Sequence, residues 1–141
     1  YQTVLERIFL EFISKKYYGI GEIGMDLYWD KTTYEIQKSA FIEQAQWAIK
    51  YDLPVSIHSR DCTQELIKII QTENLKQLRG VFHCFTGSKE DVEKILIKDF
   101  SSKSSNVAII GNLPINSGIN PYLIKSSGSS SFIISERGCS L

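Results

Sequence analysis

Val4, Leu5, Ile8, Phe9, Phe12 and Ile13 recur at steps of three and four, which predicts an opening amphipathic helix with one apolar face turned toward a sheet. Tyr18, Ile20 and Ile23 then mark a strand within Tyr18-Gly19-Ile20-Gly21-Glu22-Ile23-Gly24, where the glycines admit close approach of backbone. Thr32 and Glu35 have the spacing of a capping box, and Ile36, Ala40, Phe41, Trp47, Ala48 and Tyr51 give a second helix its buried face before Asp52 to Pro54 end it. Two more strand and helix pairs follow. Leu53 to His58 leads into a helix started by Asp61 and Gln64 and packed through Leu66, Ile67 and Ile70. Arg79 to Cys84 leads into one started at Ser88 to Asp91 and packed through Val92, Ile95 and Leu96. Val107 to Ile110 and Phe132 to Ile134 read as short buried strands. This alternation predicts an α/β fold with parallel strands and helical crossovers, whose active sites gather at strand ends.

Composition narrows the picture. A chain of 141 residues, 43% hydrophobic, has material for one domain with a sizeable core. Sixteen basic and sixteen acidic residues leave no net charge, which excludes a protein that coats polyanions by electrostatics alone. Only Lys103, Lys125, Glu136 and Arg137 of these charges fall after residue 100, in a serine-rich stretch that reads as loops between short strands. Residues 1–100 are thus expected to carry the recognisable part of the domain, and 101–141 a divergent continuation of it. Three well-separated cysteines, Cys62, Cys84 and Cys139, suit a reducing compartment. With no apolar run of the roughly 20 residues a bilayer needs and no secretory leader, the cytoplasm is the expected location.

Three residues stand out chemically. Glu22, His58 and His83 fall at three successive predicted strand ends, and His58 and His83 are the two histidines of the chain. A carboxylate can bridge two divalent ions while neutral imidazoles supply nitrogen, so the trio suits one side of a binuclear centre without completing it.

The local sequences around them go further. Gly21-Glu22-Ile23-Gly24-Met25-Asp26 followed by Tyr28-Trp29, then Ile57-His58-Ser59-Arg60-Asp61, then His83-Cys84-Phe85-Thr86-Gly87-Ser88, closely resemble the TatD-like metal-dependent deoxyribonucleases of the amidohydrolase-like barrels. The resemblance implies a TIM (β/α) barrel and a DNA or oligonucleotide substrate. It also implies two divalent ions (Mg, Mn or Zn), with Glu22 bridging them, His58 and His83 on the second, and an activated water attacking phosphorus. Arg60, Thr86, Ser88, Tyr28 and Trp29 are the expected substrate-binding residues. Two parts of the family pattern have no counterpart here. No histidine precedes Glu22 to form the initial His-any-His pair, and no aspartate follows Asp99 to serve as the late catalytic one. No catalytic base is therefore assigned. A whole barrel takes roughly 250 residues, so the expectation is a partial or incompletely represented barrel, with the activity of this chain in question. The alternatives are an amide, ester or lactone hydrolase of the same barrel class, and a degenerate binding or assembly module.

Other residues have plainer readings beside the functional ones. Asp26 and Asp30 could touch substrate, but a loop aspartate more often caps a turn or faces solvent. Tyr28 and Trp29 serve equally well as packing for the strand-end loop. Cys84, next to His83 on a strand, is expected to point away from it as a buried structural thiol.

Overall fold

The structure, a computed structural model, describes residues 1–75, 77–85, 87–97 and 107–111. It is built from α1 (Gln2–Ser14), β1 (Ile20–Asp26), α2 (Tyr34–Lys50), β2 (Val55–Arg60), α3 (Thr63–Thr72), β3 (Gly80–Phe85), α4 (Lys89–Ile97) and β4 (Val107–Gly111). The predicted order of elements and the predicted parallel pairing are both present. The four strands form one parallel sheet in the order β1-β2-β3-β4. Each strand is added beside the previous one, and crossovers of constant hand then put every connecting helix on the same face. The result is an open run of a (β/α) barrel, unlike a doubly wound sheet, whose strand order reverses. The predicted strand at Phe132 to Ile134 lies outside the described residues. Among the described residues no helix is long and apolar enough to cross a membrane.

The helix-covered face holds the core. Ile23 and Met25 of β1, Val55 and Ile57 of β2, and Phe82 and Phe85 of β3 are buried against Phe41, Ala45 and Ala48 of α2 and Leu66, Ile67 and Ile70 of α3. Phe82 and Phe85 meet edge to face, with ring centroids 6.1 Å apart. The ring of Phe85 also fills the space a side chain at position 87 would need, since a Cβ there would lie 2.3 Å from it. Gly87 is thus a packing requirement of this turn.

Several local expectations change. The Thr32 and Glu35 capping box does not form: the Thr32 hydroxyl and N–H both donate to Asp30 Oδ1, closing a local turn, and the helix starts one residue later with Thr33 as its N-cap. The reciprocal cap appears instead at α4, where Ser88 N and Oγ donate to Asp91 Oδ2 and Asp91 N donates back to Ser88 Oγ. Of the apolar stripe on α1 only Leu5 is buried. Phe9 and Phe12 instead pack against Trp47 of α2 and its C-cap Tyr51, at centroid separations of 5.0 to 6.5 Å. Val4, Ile8 and Ile13 remain exposed.

Cys62 caps α3 from inside the core. Its Sγ donates to the Met25 carbonyl at 2.9 Å, and burial, with Glu65 nearby, pushes its pKa up to about 12. A neutral, enclosed thiol is a poor nucleophile. Iodoacetamide at pH 8 is expected to leave Cys62 unmodified in the folded protein and to alkylate it promptly in denaturant, as read by peptide mass mapping. Rapid labelling of the native protein would contradict this packing.

Candidate functional site

The face of the sheet opposite the helices carries the candidate residues, because side chains alternate along a strand. On β1, Ile23 and Met25 point into the core while Glu22, Gly24 and Asp26 take the other side. On β2, Val55, Ile57 and Ser59 are buried while His58 and Arg60 are half-exposed on the other side. In register, Gly24 lies beside His58, Asp26 beside Arg60, and His58 beside His83.

Both ends of this row sit in irregularities. Between Ile20 and Ile23, β1 advances three residues while β2 advances two, so one extra residue is inserted at Gly21-Glu22. Between Phe82 and Phe85, β3 likewise advances three residues against two on β4, with the extra residue at His83-Cys84. Bulges of this kind re-aim a side chain. Here they allow Glu22 and His83 to meet across the intervening β2.

Glu22 and the two histidines come together as the motifs anticipate. Glu22 Oε1 lies 2.7 Å from His83 Nδ1, and Glu22 Oε2 lies 3.5 Å from His58 Nδ1. Asp26 joins them, its Oδ2 3.1 Å from His58 Nε2. The His58 ring is thereby held between two carboxylates. Asp26 also accepts from the Tyr28 N–H at 3.0 Å, and Gln37 of α2 brackets its backbone, accepting from its N–H and donating to its carbonyl. Burial alone would raise the Asp26 carboxyl. The Tyr28 N–H, His58 and Arg60 outweigh it and hold the pKa below the usual carboxylate range.

The sequence pattern ends the strand at Gly24 and leaves Asp26 in a loop, whereas β1 runs on to Asp26 and brings it beside His58. The signal was there: the alternation Glu22, Gly24, Asp26 continues unbroken beside buried Ile23 and Met25. Asp30 keeps its plain role in the Thr32 turn. Cys84 departs from expectation. It is half-buried, with φ of 47° inside the bulge, and its Sγ lies 3.7 Å from His83 Nε2. The irregular backbone cancels the alternation that would have turned the two side chains apart.

Of the expected substrate residues, Arg60 stacks over Tyr28, its guanidinium carbon 4.0 Å from the ring centroid and 5.4 Å from that of Trp29. Ser88 uses its hydroxyl in the α4 cap. Thr86 lies outside the described residues, as do Asp99 and Glu136.

The donor types of Glu22, His58 and His83 suit a divalent ion of intermediate softness. Their present arrangement is two carboxylate–imidazole contacts, of 2.7 and 3.5 Å, and no group of three or more His, Cys, Asp or Glu among the described residues is arranged to hold a metal ion. An ion would enter by parting the carboxylate from the imidazoles. That is a side-chain movement, open to groups whose exposure is 34 to 45%.

Residues 2–112 match the family model described as TatD related DNase. The uncharacterized metal-dependent hydrolase YabD of Bacillus subtilis is 38% identical over 86 residues, which cover 61% of this chain and 34% of that protein. A protein of Escherichia fergusonii named 3'-5' ssDNA/RNA exonuclease TatD is 31% identical over 94 residues, 66% of this chain and 36% of its own. The chain therefore spans about a third of the length of these relatives. Among solved structures, the TatD homologue YjjV of Escherichia coli superposes with a TM-score of 0.57 at 32% identity, covering 74% of this chain and 38% of that one. A TatD family hydrolase from Entamoeba histolytica gives 0.55 at 27% identity, covering 75% and 35%.

Proposed function

Since this chain belongs to the family of TatD related DNases, we propose that the whole protein is a metal-dependent phosphodiester hydrolase acting on DNA, with Glu22, His58 and His83 as part of a two-cation site. One observation carries the reading: the two oxygens of Glu22 each face a different imidazole, 2.7 and 3.5 Å away, from residues on three adjacent parallel strands. Divalent cations would supply Lewis acidity and charge neutralisation for in-line displacement at phosphorus. The chain's own residues set the rest. Glu22 brings negative charge with two independent lone-pair directions. Asp26 fixes the orientation of the His58 ring, as carboxylates do for ligating histidines. Arg60 presents guanidinium donors beside that carboxylate, a geometry suited to phosphate. The name of the Escherichia fergusonii relative supports a single-stranded substrate.

The test is cleavage of a single-stranded oligonucleotide by the whole protein in Mg²⁺, Mn²⁺ or Zn²⁺ against a chelator control. Stimulation of about a hundredfold or more is expected, given the several kcal/mol that metal ions supply to such transition states. Turnover of ester, lactone or amide substrates in its place would move the protein to another class of the same barrel. The 2.7 Å contact between Glu22 and His83 favours one competing reading, in which the pair ties the strand ends together and binds no cation. That reading predicts no metal-stimulated turnover of any substrate.

A further inference from the structure

Two large aromatic side chains stand in water at the rim of this site. Trp29 is 77% exposed and Tyr28 52%. They lie two and three residues beyond Asp26, where β1 leaves the sheet, and the loop is tied down at its base. Leu27 N–H donates to the Arg60 carbonyl at 3.0 Å, and Tyr28 N–H to Asp26 Oδ1 at 3.0 Å. Tyr28 and Trp29 meet edge to face with centroids 4.7 Å apart, and the Arg60 guanidinium covers Tyr28. The indole is thus held in place by its neighbours while most of its surface stays in contact with water. Simple packing of the loop would bury that surface. Ordering an indole without burying it leaves a flat, apolar face beside a cation, at the end of β1, the strand that carries Glu22 and Asp26.

We infer that Trp29, braced by Tyr28 and Arg60, is a stacking site for one unpaired nucleobase of a single-stranded substrate, with Arg60 facing the adjoining phosphate. This rests on the phosphodiester reading and adds a substrate requirement to it. A base offers a π face whatever its identity, so the site accepts any base and rejects one paired in a duplex. Arg60 lies in register beside Asp26, whose carboxylate touches His58, so base and phosphate would be addressed by different groups of one strand-end cluster.

The experiment measures binding of a short single-stranded deoxyoligonucleotide to the whole protein by fluorescence anisotropy in chelator, which prevents turnover. An otherwise identical oligonucleotide carries an abasic site at its terminus, with each end tested in turn. For the wild type, removal of the base at one end is expected to weaken binding about five- to one-hundredfold. For Trp29→Ala the same removal should cost less than twofold, and Trp29→Phe should restore most of the difference. The ribo-oligonucleotide should give the same ratio, the tighter binder of the two identifying the natural source. Equal sensitivity of wild type and Trp29→Ala to base removal, or no oligonucleotide binding by the wild type, would overturn the inference. Metal-stimulated cleavage of the abasic oligonucleotide by the wild type separates the two claims. If it is cleaved but Trp29 makes no difference to base removal, stacking fails while the hydrolase reading stands.

Discussion

Glu22→Gln is expected to lower metal-stimulated cleavage of single-stranded DNA about a thousandfold while leaving the fold in place. Gln keeps the shape of Glu and removes its charge, so the substitution asks whether the carboxylate acts on cations or only fills space. A carboxylate holds divalent ions far more strongly than the neutral amide that replaces it, and the several kcal/mol that bound ions contribute correspond to about three powers of ten in rate. The Glu22 side chain is 41% exposed, and ion pairs in such positions contribute at most about 1 kcal/mol. The melting temperature should accordingly move by a few degrees at most. Cleavage kinetics alongside thermal melting by circular dichroism check both halves. A variant that keeps more than a tenth of wild-type activity would remove Glu22 from the reaction.

Gly24→Ala is expected to damage stability and site together. Gly24 has φ of 131°, and a Cβ there would stand 2.1 Å from the His58 carbonyl oxygen and 2.9 Å from its nitrogen. The obstacle is backbone in the middle of the β1 and β2 pairing, so no side chain can rotate out of the way. Backbone strain and overpacking of this kind cost about 3 kcal/mol or more together. That corresponds to a fall in melting temperature on the order of 10 °C. Relief would come by separating the strands where Gly24 lies beside His58. The same movement pulls Glu22 and Asp26 away from the histidine. Gly19→Ala is the natural control: its Cβ would meet only Pro54, with the carbonyl oxygen at 3.0 Å and the ring Cγ at 3.5 Å. A melting temperature for Gly24→Ala within about 2 °C of wild type would contradict the strand pairing described.

What was legible in the sequence was whatever depends on period. The apolar steps of three and four marked the four helices, and short apolar runs marked the strands, because burial of one face dictates both patterns. Motif order placed Glu22, His58 and His83 on neighbouring strands, and they meet there, although Glu22 is the third residue of β1 and does not end it. What escaped reading depends on local competition and irregular backbone. Nothing in Thr32 and Glu35 announces that Asp30 captures the Thr32 hydroxyl first. Nothing in His83-Cys84 announces an inserted residue, so the alternation rule turned Cys84 the wrong way. Asp26 was lost to a strand boundary set two residues short. The apolar stripe of α1 was read correctly as a helix face, but how far that face is covered depends on what lies beside β1, which periodicity does not encode.

Glu22, His58 and His83 could hold a divalent cation together once the carboxylate parts from the imidazoles. This joint ligation is tested most directly by anomalous diffraction from crystals of the whole protein grown with Mn²⁺. An anomalous peak is expected in contact with a Glu22 carboxylate oxygen and with nitrogens of His58 and His83, and no peak there in Glu22→Gln. Continued direct pairing of Glu22 with His83, without a peak beside them at saturating Mn²⁺, would contradict it.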